Sequence, residues 1–278
     1  MICDYLSVNK IKIFECPFRY YLQYYWQISK ERGRALNVGT LAHQVFETII
    51  RKSAEYVDKE KRVINNLDQL LIDVFKRSDY YKDAKLTEAM IKDDPIYQEC
   101  KTIVTKYIAS PGCTLFYDVL IENGKPCIEK RFDVIAGARC EVHGAIDIIF
   151  KLDNETLLVN DYKTSKTIQK FDEIMEDIQL KTYYWAAHKM FPQYPNVFVQ
   201  IDFVRLLKPR IVTFGDINMI EKELVVYYNK IKNCTLRNAH RKPGWYCNAF
   251  CIGGENCYRL YDSVRRAGFL KQSMDLDF

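Results

Sequence analysis

Residues Gly144–Lys166 read GAIDIIFKLDNETLLVNDYKTSK. Apolar and polar residues alternate on both sides of Asp153-Asn154, a pair with turn chemistry, so the stretch predicts two antiparallel strands, Cys140 to Phe150 and Thr156 to Lys163. Side chains at i and i+2 of a strand share a face, which points Asp161 and Lys163 one way and Tyr162 the other. Asp147 lies on the preceding strand. Residues directly opposite each other in an antiparallel pair also share a face. A plain two-residue hairpin at Asp153-Asn154 would set Asp147 opposite Asn160 and turn Asp161 away. Gathering both carboxylates therefore requires an odd loop, such as Asp153 to Glu155, or a bulge.

Two carboxylates and an ammonium in one place suit phosphodiester hydrolysis. Carboxylates hold Mg²⁺ or Mn²⁺, hard ions that prefer oxygen. Such an ion polarises the phosphate and lowers the pKa of a bound water, and a lysine offsets charge on the reacting phosphorus. Taken alone, an Asp-x-Lys triplet reads first as a solvated strand face.

Working outward, Ser7 is placed to cap a helix reaching about Trp26, with Pro17 marking a kink or a helix start. A second helix is expected from Val38 to Lys52. From Glu55 to Ile108 the chain is charged and helical in pattern, ending at the turn signal Pro111-Gly112. Pro126 to Val134 reads as a strand, Phe171 to Met190 as a helix, Asn196 to Leu206 as a strand with Ile211 to Phe214 as its hairpin partner, and Asp216 to Arg237 as a last helix. This order predicts an α/β protein: a mixed central β-sheet flanked by helices, with a helical insertion. The expected organisation is one domain over 1–278, with the insertion at about 55–112, the core at about 126–214, a C-terminal helix and cysteine segment at about 216–260, and a flexible acidic tail at 272–278.

The 278 residues carry a formal charge of +5, which permits a nucleic-acid partner without requiring one. Basic stretches at Lys30, Arg32 and Arg34, at Arg205, Lys208 and Arg210, and from Lys230 to Lys242 read equally as phosphate contacts or solvated faces. No apolar run approaches the roughly 18 residues of a membrane span. The start, MICDYLSVNKIKIF, does not read as a secretory signal. Ten cysteines without such a signal point to a reducing, cytoplasmic compartment, where thiols serve metals or fill cores. Cys247, Cys251 and Cys257 crowd into WYCNAFCIGGENC, a loop able to wrap a metal, zinc included. Cys16 stands apart in IFECPFRYYLQYYW. The aromatics of that first helix (Tyr20, Tyr21, Tyr24, Tyr25, Trp26) suit a core, and secondarily base stacking.

Four motifs in order resemble the PD-(D/E)XK nuclease superfamily in its RecB-like exonuclease branch. GTLAHQVFE, Gly39–Glu47, resembles the early helical motif and implies His43 as a metal ligand, while Glu47 reads either as a partner that holds the histidine or as a surface acid. GAIDIIF implies Asp147 as a metal ligand. DYKTSK implies Asp161 as a ligand, joined by the backbone carbonyl of Tyr162, and Lys163 as the catalytic lysine. QLKTYYWA places Gln179 and Tyr183 beside the site. Ala145 and Ile146 stand where the superfamily's name implies a proline, as they do in many members of this branch. Residues four apart on a helix share a face, which agrees with the pairs His43/Glu47 and Gln179/Tyr183. Glu129, on the strand before Asp147, reads either as a contributor to the site or as a surface acid.

The subgroup that includes the AddB nuclease and the CRISPR-associated RecB-like exonucleases is similar at both chain ends. The resemblance implies that Cys16, Cys247, Cys251 and Cys257 hold a [4Fe–4S] cluster, a structural staple joining those ends, with structural Zn²⁺ as the alternative. It further implies a DNA exonuclease on single-stranded ends, working in repair or recombination in a bacterial, archaeal or phage-infected cell. A second reading is a DNA-binding or assembly module of a recombination or CRISPR-adaptation complex. The tail SMDLDF, ending at Phe278, alternates acidic and apolar residues and reads first as a frayed terminus and second as a docking segment for a protein partner.

Overall fold

The computed structural model describes residues 4–27, 34–53, 66–235, 239–242, 247, 251, 257 and 261–263. The acidic tail, residues 28–33 and residues 54–65 lie outside that set. The elements are β1 (Leu6–Ser7), α1 (Val8–Phe14), α2 (Pro17–Tyr24), α3 (Arg34–Ser53), α4 (Leu67–Arg77), α5 (Asp79–Asp83), a 3₁₀ turn (Glu88–Asp93), α6 (Pro95–Ile108), β2 (Ile121–Glu122), β3 (Lys125–Pro126), β4 (Ile128–Ala136), β5 (Cys140–Lys151), β6 (Thr156–Lys163), α7 (Phe171–Met175), α8 (Ile178–Met190), β7 (Asn196–Phe203), β8 (Lys208–Val212) and α9 (Ile217–Lys232). They build a mixed α/β fold around one mixed sheet. Its order is β1-β5-β6-β7-β8, with β4 also on β5. The β6–β7 pair is parallel and its neighbours β5–β6 and β7–β8 are antiparallel.

The chain divides into two compact units. One comprises residues 32–132 and 145–217. In it, α3 places Val38, Leu41, Ala42, Val45, Phe46, Ile49 and Ile50 at intervals of three and four, all buried. In α6, Asp94 caps the helix by accepting from the N–H groups of Ile96 (2.8 Å) and Tyr97 (3.0 Å), with Pro95 as the first helical residue. These helices and α4 pack on the sheet face that carries Ile148, Phe150, Leu158 and Tyr162. Helix α8 touches β6 and β7 on the face of Asp161. It is buried almost all round. The predicted helix Phe171 to Met190 is in fact two helices, because Asp177 accepts from Gln179 N–H at 2.7 Å and starts α8 afresh.

The other unit comprises residues 1–31, 133–144 and 218–278. Ser7 caps α1 as expected, accepting from Lys10 N–H at 3.3 Å. Of the two readings of Pro17, a kink or a helix start, the structure shows the second, so the run towards Trp26 is two helices. Cys16 is extended at the residue before Pro17, and proline opens α2, where its missing N–H costs nothing. Tyr20 is fully buried and Tyr21 stacks on Tyr25 at 4.2 Å, while Trp26 is exposed. Strand β1, not foreseen, pairs in parallel with β5 at Val142 and His143.

The register of β5 and β6 settles the geometric condition set by the sequence. Ile148 faces Asn160 and Lys151 faces Leu157. Leu152 N–H donates to Thr156 O at 3.0 Å, closing a loop of Asp153, Asn154 and Glu155. The loop is odd, so the step beyond Ile148 and Asn160 sets Asp147 against Asp161.

On the opposite face, Tyr162 enters a buried polar chain. Its hydroxyl meets Thr114 Oγ1 at 3.0 Å, Thr114 meets the Tyr107 hydroxyl at 2.9 Å, and Tyr107 donates to Asp202. Gln200 Nε2 donates to the same carboxylate at 3.3 Å. Asp202 is fully buried, and its other oxygen finds no hydrogen-bond partner among the described residues. Burial pushes its carboxyl up to about 6 from an ordinary 3.8. The folded protein thus holds this proton more tightly than the unfolded chain. The associated stability is fully present below pH 4 and is lost as pH rises to about 6. Asp202→Asn removes this dependence. Urea unfolding should show the variant gaining on the wild type between pH 4 and pH 7, by up to roughly 3 kcal/mol. Parallel pH profiles would contradict the assignment.

Candidate functional site

An open cleft of about 760 Å³ is lined by Gly39, Thr40, His43, Glu47, Glu129, Arg131, Tyr162, Lys163 and Thr164, among others. Helix α3 comes close here because Gly39 lacks a side chain: a Cβ would lie 3.1 Å from Thr164 Oγ1. One helical turn later His43 follows, and its Nδ1 lies 3.3 Å from Asp147 Oδ2. The same Asp147 oxygen accepts from Tyr162 N–H at 3.0 Å.

Glu129 is delivered by an irregularity. It sits in β4 with φ 47, a left-handed conformation uncommon outside glycine, which re-aims its side chain. One ligand atom each from His43, Glu129 and Asp147 lie within 4.8 Å of one another, the only such trio among the described residues. Their electrostatics match a cation site. Burial, then Asp147 and Glu47, push the Glu129 carboxyl up to about 7, against the pull of His43 and Arg51. Burial and then Asp161 raise Asp147, with His43 and Lys163 opposing. Crowded carboxylates that resist ionisation are what a bound divalent ion relieves.

Asp161 is almost wholly buried and stays outside that trio. Lys163 Nζ lies 2.6 Å from its Oδ2, and Gln179 Nε2 donates to its Oδ1 at 2.9 Å. Gln179 also contacts the Tyr183 hydroxyl at 2.9 Å and the Lys163 ammonium at 3.4 Å. Burial alone would lower the Lys163 pKa, but pairing with Asp161 and the charges of Asp147 and Asp177 raise it on balance. The ammonium is therefore fixed and charged. Tyr183 is pushed well above its ordinary value by burial and by Asp161, so its hydroxyl stays protonated.

The residues picked from the sequence thus come together as two linked sets, His43/Glu129/Asp147 and Asp161/Lys163/Gln179/Tyr183. Glu47 lines the cleft, but its carboxylate holds Arg51 at 2.9 Å. Arg205, read from the sequence as a possible phosphate contact, is occupied structurally. It pairs with Glu99 at 2.8 Å and donates to Thr164 O at 2.9 Å, which pins the backbone just after Lys163. Sequence reasoning missed Arg131, because nothing local marks one exposed arginine of β4 as cleft-lining.

In the other unit, Cys16, Cys251 and Cys257 are buried and Cys247 is half-buried, and none of the nine described cysteines forms a disulfide. Lys242 N–H donates to Cys16 Sγ at 3.3 Å, and Phe18 N–H donates to His240 O at 3.1 Å. The N-terminal helices and the cysteine segment therefore meet. The Cys257 thiol is pushed up to about 11 by burial first and then by Cys251, with Cys16 and Cys247 adding to the rise and Arg241 opposing it. These thiols influence Cys257 electrostatically, but among the described residues no three of the four come within 4.8 Å of one another.

Comparison with protein families matches residues 5–223 to the model described as the PD-(D/E)XK nuclease superfamily. No curated protein matches the chain. Among solved structures, one from Eubacterium rectale, described in its own words as a "Putative exonuclease", is similar with a TM-score of 0.46 and 14% identity, over 87% of this chain and 90% of that one. No helix among the described residues is long and apolar enough to cross a membrane.

The trio makes a direct prediction for calorimetric titration with Mn²⁺. Affinity should rise as pH climbs through about 7, because Glu129 must lose its proton to bind. Glu129→Gln should weaken binding at least about tenfold, about 1.4 kcal/mol, and remove that pH step. Unchanged affinity in the variant would exclude Glu129 as a ligand.

Proposed function

Because the chain belongs to the PD-(D/E)XK nuclease superfamily, we propose that it is a metal-dependent deoxyribonuclease acting as an exonuclease on single-stranded ends. The observation that carries this reading is the antiparallel register that sets Asp147 against Asp161 beside a charged Lys163. His43, Asp147 and Glu129 would hold Mg²⁺ or Mn²⁺, joined by Asp161 and the Tyr162 carbonyl. Such an ion supplies Lewis acidity and makes water a nucleophile near neutral pH.

The protein's own groups do the rest. The Lys163 ammonium orients the attacking water and offsets charge on the phosphate oxygens as the bond to the leaving oxygen breaks. Gln179 holds Asp161 and reaches Lys163, so one amide fixes the carboxylate and the lysine together. The Tyr183 hydroxyl steadies Gln179. The preference for exonucleolytic, single-stranded substrates rests on the resemblance of the four motifs, as do a role in repair or recombination and a cytoplasmic setting. Residues 1–278 are proposed to work as one nuclease domain, with 55–112 as a helical insertion.

Cys16, Cys247, Cys251 and Cys257 are proposed to bind a [4Fe–4S] cluster rather than zinc. Tetrahedral Zn–S bonds of about 2.3 Å bring thiolates to about 3.8 Å of one another. A cuboidal cluster spaces them more widely, and the resemblance at both chain ends is what favours it over zinc. The cluster would be structural, a staple on the segment it closes.

The nuclease reading is tested with labelled single-stranded DNA and Mg²⁺ or Mn²⁺. Wild type should release nucleotides from ends, and Lys163→Ala should lower the rate at least about a hundredfold, since loss of one such charge-stabilising donor costs on the order of 10²–10³. DNA binding without cleavage by wild type would contradict it and favour an assembly module. For the cysteines, protein purified without oxygen should be brown and carry about four irons per chain. Colourless protein with one zinc would reject the cluster.

A further inference from the structure

A second open groove, about 610 Å³, runs under the hairpin of β2 and β3 and along β4. Its hairpin turns through Asn123 (φ 50) and Gly124 (φ 73), a two-residue turn with both residues left-handed, which holds the strands rigidly. The groove is lined by Lys125, Lys130 and Arg131 with Glu122 and Glu129. Glu122 pairs with Lys130. Lys125 and Arg131 are left as its cations without an ion-pair partner among the described residues. Both are exposed.

Two residues, Glu129 and Arg131, line this groove and the catalytic cleft alike. The two depressions therefore adjoin at these two residues of β4. Glu129 belongs to the candidate metal trio. With that carboxylate neutralised by a cation and Glu122 by Lys130, the path beyond the trio presents net positive charge, at Arg131 first and Lys125 further along.

Resting on the nuclease reading, we propose that this groove carries the nucleic-acid strand beyond the scissile phosphate, with Arg131 and Lys125 as successive phosphate contacts. The two residues shared with the cleft supply the location. The unpaired cations supply the chemistry, a polyanion read by charge and not by base. Ile121, exposed on the hairpin, offers an apolar surface beside the path. Arg131 is not assigned a part in the bond-breaking step.

The test uses the full chain carrying Lys163→Ala, so that DNA stays intact, and measures binding of fluorescent oligo(dT) of several lengths with Mg²⁺ across KCl concentrations. Each phosphate contact removed from a single strand should lower the slope of log affinity against log salt by about 0.7. Arg131→Ala and Lys125→Ala should each do so on a long oligonucleotide, and the loss should vanish for Lys125→Ala on the shortest one that still fills the cleft. Between 50 and 200 mM salt this corresponds to about a 2.6-fold smaller fall in affinity per contact removed. Lys92→Ala, exposed and lining neither depression, should leave the slope unchanged. If either groove variant keeps the parent's slope on the long strand, the proposal is overturned while the nuclease reading stands, provided the unmodified protein cuts DNA. A wild type that neither binds nor cuts DNA overturns both.

Discussion

Everything at the site depends on register. The three-residue loop Asp153 to Glu155 brings β6 back along β5 with Asp147 against Asp161. One residue fewer would present Asn160 in place of Asp161 and send Lys163 to the packed face. The register sets two carboxylates together in a largely buried place, where like charges raise each other's cost. The structure offsets this with Lys163 against Asp161 and His43 beside Asp147. What remains is an acidic pocket suited to a divalent ion.

One strand thus serves two purposes through the alternation of its side chains. Asp161 and Lys163 face Gln179 of α8, while Tyr162 between them packs with Phe46 of α3 and enters the Thr114–Tyr107–Asp202 chain. Backbone tied down behind the site is backbone that holds its position in front. The Tyr162 N–H, which bonds Asp147, sits between these two faces.

Much of this was legible in the sequence because it follows short-range rules. The alternation around Asp153-Asn154 fixed β5 and β6 and demanded the odd loop. The spacing of apolar residues from Val38 to Ile50 marked α3. Where reading fell short, the cause was a local signal weighed too lightly or a contact far away in the chain. Asp177 starts a new helix, although periodicity runs on through it. The left-handed turn at Glu129 and the reach of Arg131 into two depressions arise from how β4 meets its neighbours, which no window of residues contains. Arg205 resembled a phosphate contact because its partners, Glu99 and Thr164, are distant in sequence. The four cysteines were legible as a set only through family resemblance, because Cys16 is more than two hundred residues from the other three.

On the proposed function, the Asp147–Asp161 register holds a cation beside Lys163. Anomalous scattering from crystals soaked in Mn²⁺ tests it most directly. A strong peak is expected within bonding distance of His43, Glu129 and Asp147 and on the side of Asp161. Density for Mn²⁺ elsewhere, with these side chains left unliganded, would contradict it.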